Sequence, residues 1–283
     1  SNNRLRESSA ASYYLQDKMD FGKLDITLGY RSEDYDQRHR RWGEGAGPNL
    51  TAVRITSVRD TFATNDHTTQ SLGATYEVNE NLTLVAGFHE GMTPMFGADP
   101  EEADNTELGI RYSDGAGDVE IFYFSSEYSN LAAECTLVSG AACNPDESAV
   151  FSGGSADLEG LEFSGSWVFE GNGVSYPIAV SYTSTDATFN NSSDSDYFGK
   201  VAAGDDLPYI PSSSMSLVAG FITDNGLSGN MRIIDVGSSC SLAACGTYNK
   251  IHAHTILDLN LRKALSDVMD VYLIVENATD DED

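Results

Sequence analysis

Between His67 and Met95 the chain reads HTTQSLGATYEVNENLTLVAGFHEGMTPM, two alternating runs joined by a short polar stretch. Leu72, Ala74, Tyr76 and Leu82, Leu84, Ala86, Phe88 fall on one side, and Ser71, Thr75, Glu77 and Thr83, Gly87, His89 on the other. A period of two is the signature of a strand with unlike faces. The pattern recurs along the chain, bounded by Gly, Asn, Asp and Ser, while helical periodicity is nearly absent. It predicts about twelve strands, near 11–21, 24–35, 68–78, 81–92, 104–114, 117–130, 157–170, 173–186, 213–223, 227–237, 252–263 and 268–278.

The connections alternate in length. Short ones fall at 22–23, 79–80, near 115, at 171–172, near 225 and near 266; long ones span 36–67, 93–103, 131–156, 187–212 and 238–251. A meander of this kind gathers its tight turns at one end and its long loops at the other, as transmembrane barrels do with periplasmic turns and extracellular loops. Both sides of the strands fit that solvent arrangement. Leu161, Phe163, Trp167 and Phe169 oppose Glu162, Ser164 and Ser166, and Leu257, Leu259 and Leu261 oppose Asp258, Asn260 and Arg262. Val271, Leu273 and Val275 oppose Asp270, Tyr272 and Glu276 in the same way. A cation aimed at the bilayer midplane costs about 2–4 kcal/mol, so Arg111 and Arg262 are expected to face an aqueous lumen. Tyr13, Tyr14, Phe21, Tyr30, Tyr35, Tyr112, Tyr128 and Tyr182 lie toward strand ends, where an interfacial aromatic girdle would sit. A soluble barrel or cell-surface β-structure would carry the same stripes, but buried together.

Composition narrows the function. The 283 residues carry 44 acids against 16 Lys and Arg, a formal charge of −28, which repels phosphate backbones and argues against a nucleic-acid partner. No apolar run is long enough for a spanning helix. The opening residues SNNRLRESSA lack the features of a secretory signal. Four cysteines form two close pairs, Cys135 with Cys143 and Cys240 with Cys245. Neither pair has zinc-site spacing, and two disulfides pinning loop tips in an oxidising compartment are preferred to free thiols. No nucleophile elbow or phosphate-binding glycine loop is present, so the chain is read as a non-enzyme.

Several stretches resemble one family. TQSLGATYEVNENLTLVAGFHEGMTPM with EEADNTELGIRYSDGAGDVEIFYFSSEYSNL resembles the paired strands, aromatic-Gly-x-x-Pro loop and Glu-Leu-Gly-x-Arg-Tyr strand of TonB-dependent outer-membrane receptors. DLEGLEFSGSW, DDLPYIPSSSMSLVAGF and VYLIVENATDDED are similar to further segments in the same order, and GFHEGMTPM and DYFGKVAAGDDLPYIP look most similar to ferric-dicitrate-type receptors. The resemblance implies an all-β, antiparallel up-and-down transmembrane barrel in the bacterial outer membrane. Residues 1–283 would be a partial barrel domain, about twelve strands of a twenty-two-stranded barrel with no plug domain and no closing strand after Asp283. It further implies uptake of a ferric chelate, ferric citrate or another siderophore. The partners would be outer-membrane lipid, the chelate, and the TonB–ExbB–ExbD system acting through the missing plug. No cofactor is implied, iron being present only inside the transported chelate. The alternative is a self-contained twelve-stranded pore, translocator or hydrolase.

An anionic chelate needs Arg or Lys donating to carboxylates in a concave site. The densest cationic stretch is DQRHRRW, so Arg38, His39, Arg40, Arg41 and Trp42 are the ligand-binding candidates, joined by His89 at the loop end of its strand. Arg31 is expected in the lumen, paired with acids. His252 and His254 make an incomplete metal site, and Asp194, Asp196, Asp205 and Asp206 lack calcium-loop spacing, so no metal site is expected.

Overall fold

The computed structural model describes residues 3–45, 54–95, 99–134, 150–195 and 199–281. Twelve strands form one antiparallel meander: β1 (Asn3–Asp20), β2 (Leu24–Gly45), β3 (Arg54–Asn79), β4 (Leu82–Thr93), β5 (Glu101–Ser113), β6 (Gly117–Glu134), β7 (Val150–Gly171), β8 (Val174–Phe189), β11 (Ser213–Thr223), β12 (Leu227–Val236), β15 (His254–Ser266) and β16 (Met269–Val275). Two small ribbons sit in the loops: β9 (Ser193–Ser195) with β10 (Gly199–Val201), and β13 (Ser239–Cys240) with β14 (Lys250–Ile251). Among the described residues, β1 and β16 each have a neighbour on one side only, so the sheet is an open barrel wall.

The tight connections are built from turn chemistry. Asn172 and Gly173 both take positive φ (56° and 75°), the conformation of a type I′ hairpin turn, so the turn lies one residue later than the 171–172 expected from sequence. Gly22, Gly115 and Gly226 supply positive φ at three of the other tight turns.

Register fixes the faces, because directly paired residues of an antiparallel sheet point the same way. Apolar rows lie on one face: Leu28–Leu72–Phe88, with Ala86–Leu108–Tyr123–Leu161 just below it on the turn side. They continue as Ile178–Ala219–Met231–Leu259–Val275. These side chains remain open to their surroundings, Leu72 being 47%, Leu108 53% and Leu161 44% exposed, and among the described residues no second sheet packs on them. Exposed apolar surface on this scale is expensive in water and favourable against hydrocarbon. The stripe is therefore the lipid-facing side.

At the height of the stripe most of the charges lie on the opposite face. Arg111 Nε donates to Glu120 across β5 and β6 at 2.9 Å, Arg262 to Asp270 at 2.8 Å, and Arg31 pairs with Glu33. Arg111 and Arg262 thus lie where the cost of burying charge in lipid requires. Two phenylalanines break the alternation there. The Phe122 ring lies over Gly109 and the Phe124 ring over Gly160, where an added Cβ would run into ring carbons. Only glycine opposite lets a ring lie flat on the lumen wall.

Two sequence expectations change. Of the proposed girdle, Tyr13, Tyr30, Tyr112 and Tyr182 belong to the lipid side, whereas Tyr14, Tyr35 and Tyr128 pair into lumen-side rows and Phe21 sits in a turn. A stacked run of Tyr112, Trp167 and Phe169, with centroids 6.4 and 6.3 Å apart, holds the turn-end interface instead. The stretch 36–67 is mostly strand, since β2 and β3 climb past the apolar stripe as a paired hairpin whose register shifts only between Gly43 and Glu44. Above the stripe water bathes both faces, so the alternation fades although backbone pairing continues.

Candidate functional site

The loop end holds the only buried apolar cluster among the described residues. Ala156, Phe189, Val201 and Ala243 are 0–3% exposed, with Leu131 and Leu207 packed against them. This cluster anchors the loop after β8 to the loop after β12. The backbone N–H of Leu207 donates to Ala187 O and that of Tyr209 to Cys240 O, and the Cys240–Cys245 disulfide closes the second loop. Cys135 and Cys143 lie outside the described residues. Between these segments opens a cleft of about 760 Å³ lined by Thr185, Asp186, Asp206, Thr247, Lys250 and His252 among others. Its lining mixes one cation, an imidazole, two carboxylates and several hydroxyls.

The cationic stretch of β2 is divided by the strand itself. Arg38 and Arg40 occupy even positions, continuing the lipid-side face above the stripe, and Trp42 shares that register. His39 and Arg41 occupy odd positions, continuing the lumen face. The side chains of Arg41 and Trp42 lie outside the described residues. Arg38 donates to both carboxylate oxygens of Asp60, from Nε at 2.9 Å and Nη2 at 2.7 Å, and Arg40 donates to Asp60 Oδ2 at 2.8 Å. Glu7 lies 3.6 Å from Arg38, and the Arg38 guanidinium covers the Phe62 ring at 5.1 Å. Hydrogen bonds from Arg38 and then Arg40 hold the Asp60 carboxyl far below the usual carboxylate range. The same contact raises Arg38 above its ordinary value. Two guanidiniums thus clamp one carboxylate on the outside of the hairpin.

His89 is exposed on the lumen face, paired in register with Ser71 and Asn105. His252 lines the cleft, whereas His254 starts β15 opposite Val236. Asp205 Oδ2 accepts from Ala202 N at 2.8 Å, closing a turn, and Asp206 forms a bridge with Thr188. Asp196 and the Asp194 side chain lie outside the described residues. Among the described residues no three His, Cys, Asp or Glu side chains converge as metal ligands. Asp60 and Lys250 were missed in the sequence, because each acquires its role from chain segments far away in sequence.

A further electrostatic feature lies just above the stripe. Glu90, Asp104, Glu127 and Asp157 are directly cross-paired on four successive strands of the lipid-side face, and Asp34 faces Asp66 in the same manner. Like charges so placed repel.

The family model for the TonB dependent receptor-like β-barrel matches residues 1–278. The chain belongs to this family. As a TonB-dependent receptor barrel its place is the bacterial outer membrane. The wall superposes on the ferric citrate transporter FecA in its unliganded form, at TM-score 0.76 and 19% identity over 99% of this chain and 42% of that one. It is likewise similar to the siderophore receptor PiuA from Acinetobacter baumannii (TM-score 0.77, 17% identity, 97% and 39% covered). The ferric-catecholate import receptor Fiu from E. coli K12 gives 0.74 and 18%, with 98% and 41% covered. At these identities the likeness shows the fold, and the chain spans about two fifths of the length of each of these structures. No curated protein matches it.

Proposed function

We propose that this wall belongs to an outer-membrane receptor that takes up a ferric chelate, ferric citrate or a related siderophore, in a TonB-dependent cycle. An energised inner-membrane partner would act on a plug domain within the completed barrel, and the chain itself carries out no covalent chemistry. Family membership and the fold likeness to ferric citrate and siderophore receptors support the class.

The observation that carries the site is the division of the cationic stretch between two faces. The lumen-side register positions, His39 and Arg41, join His89 and the cleft residues Lys250 and His252 as the groups that meet the chelate, arginine being the residue type suited to carboxylates. Arg38 and Arg40 serve the hairpin through Asp60 rather than the ligand, and Trp42 shares their face.

The test is ferric citrate binding by the full-length protein in detergent. Arg41→Glu is expected to weaken binding at least tenfold, roughly the value of one charge-assisted pair, while Arg38→Glu leaves the affinity within about twofold. Equal losses would return Arg38 to the site; no loss in either would remove the stretch from it.

A further inference from the structure

We infer that the lipid-side face of β8, β11, β12, β15 and β16 holds one glycerophospholipid, its acyl chain in an apolar groove and its phosphate on Lys263. The inference rests on the membrane-facing stripe and is independent of the ferric-chelate reading.

The groove encloses about 570 Å³ and is walled by Tyr176, Ile178, Phe221, Met231, Leu259 and Leu273, with Ala219 among its small residues. All seven fall on the lipid side by register. Gly229 lies in its floor, where the absence of a side chain lets Phe221 Cε1 and Leu261 Cδ1 lean to 2.9 and 3.1 Å of where a Cβ would stand. A groove in that face is filled by hydrocarbon, and the membrane supplies it as acyl chains.

The rim makes the occupant a phospholipid. Two residues beyond the Gly229–Leu261 pair on the same face, Leu227, Lys263 and Val271 form a row that is the last of β12 and lies one bulged pair short of the turn between β15 and β16. Lys263 thus stands at the interface, where a stem lies along apolar surface and an ammonium reaches for the headgroup layer. Its Nζ donates to Asn225 O at 2.7 Å and to Asn225 Oδ1 at 3.2 Å. An ammonium has three N–H groups. Asn225 takes two of them, and no carboxylate among the described residues lies within ion-pair distance. The third meets a phosphate oxygen at the depth where headgroups begin. Lys18, by contrast, lies 3.3 Å from Asp25 and already has its anion.

The experiment uses full-length protein purified in neutral detergent, with native mass spectrometry to count bound lipid and a titration of the thermal midpoint. Phosphatidylethanolamine is compared with diacylglycerol of the same chains. Wild type is expected to retain one phospholipid and to bind added phosphatidylethanolamine about tenfold more tightly than diacylglycerol. Lys263→Gln should abolish that preference while still binding diacylglycerol; Ala219→Phe, which fills the groove, should weaken both; Lys18→Gln should behave as wild type. The inference is overturned if Lys263→Gln keeps the tenfold preference, if Ala219→Phe retains lipid like wild type, or if Lys18→Gln loses as much as Lys263→Gln.

Discussion

Leu108 and Glu107 are neighbours on β5 that lead to opposite solvents, which makes them a sharp test of the membrane assignment. Leu108 is 53% exposed and lies between Ala86 and Tyr123 in the apolar row; Glu107 lies between Gly87 and Phe124 on the lumen wall. On β5 the stripe is bracketed by Tyr112 at the turn end and Asp104 at the loop end. Those positions are eight steps apart, about 26 Å along the strand at roughly 3.3 Å per residue. A tilt of about 40° makes that roughly 20 Å of membrane height, with Leu108 at its middle. An arginine there costs about 2–4 kcal/mol, whereas one facing the lumen costs close to nothing. Leu108→Arg is therefore expected to shift the folding equilibrium roughly a hundredfold, at about 1.4 kcal/mol per decade, and Glu107→Arg hardly at all. Full-length protein folded into vesicles and titrated with denaturant gives the midpoint and slope for each variant. The shift should appear in the midpoint with the slope unchanged. Equal losses at the two positions, or a larger one at Glu107, would mean that the apolar side does not face hydrocarbon.

The Asp60 clamp has a defined pH window. Its carboxyl is depressed in the folded state, so the contribution is fully present above the ordinary carboxylate range and is lost only as pH falls through the lower folded value. Tryptic protection at Arg38 and Arg40 should stay level from pH 8 to pH 6 and vanish in Asp60→Asn; a loss of protection on acidification within that range would contradict the assignment. The carboxylate row predicts that Asp104→Lys, set between Glu90 and Glu127, stabilises the protein by up to about 1 kcal/mol at low ionic strength. Salt should shrink the gain, and a salt-independent change would show that the row is not repulsive.

The candidate site was only partly legible in the sequence, and particular residues show why. The alternation of β2 already separates Arg38 and Arg40 from His39 and Arg41, but it goes unnoticed when 36–67 is read as loop. Asp60 could not be matched to them, because the pairing spans 22 residues and depends on the register of a hairpin whose turn is far from both. The face of His89 follows from its strand, which alternates cleanly from Leu82 onward. The cleft beside Lys250 had no local signal, since its walls come from three separate segments.

Period-two patterning, tight-turn glycines and the alternation of connection lengths were enough to determine an antiparallel meander with one apolar and one polar face, because each is a local property of neighbouring residues. Register between strands, the sharing of Asp60 by two arginines, the split of the cationic stretch, and the joining of two loops over Phe189 and Val201 were decided by the tertiary structure alone. Those features depend on which distant strands meet and at what offset, and a single chain written in order carries no direct record of that.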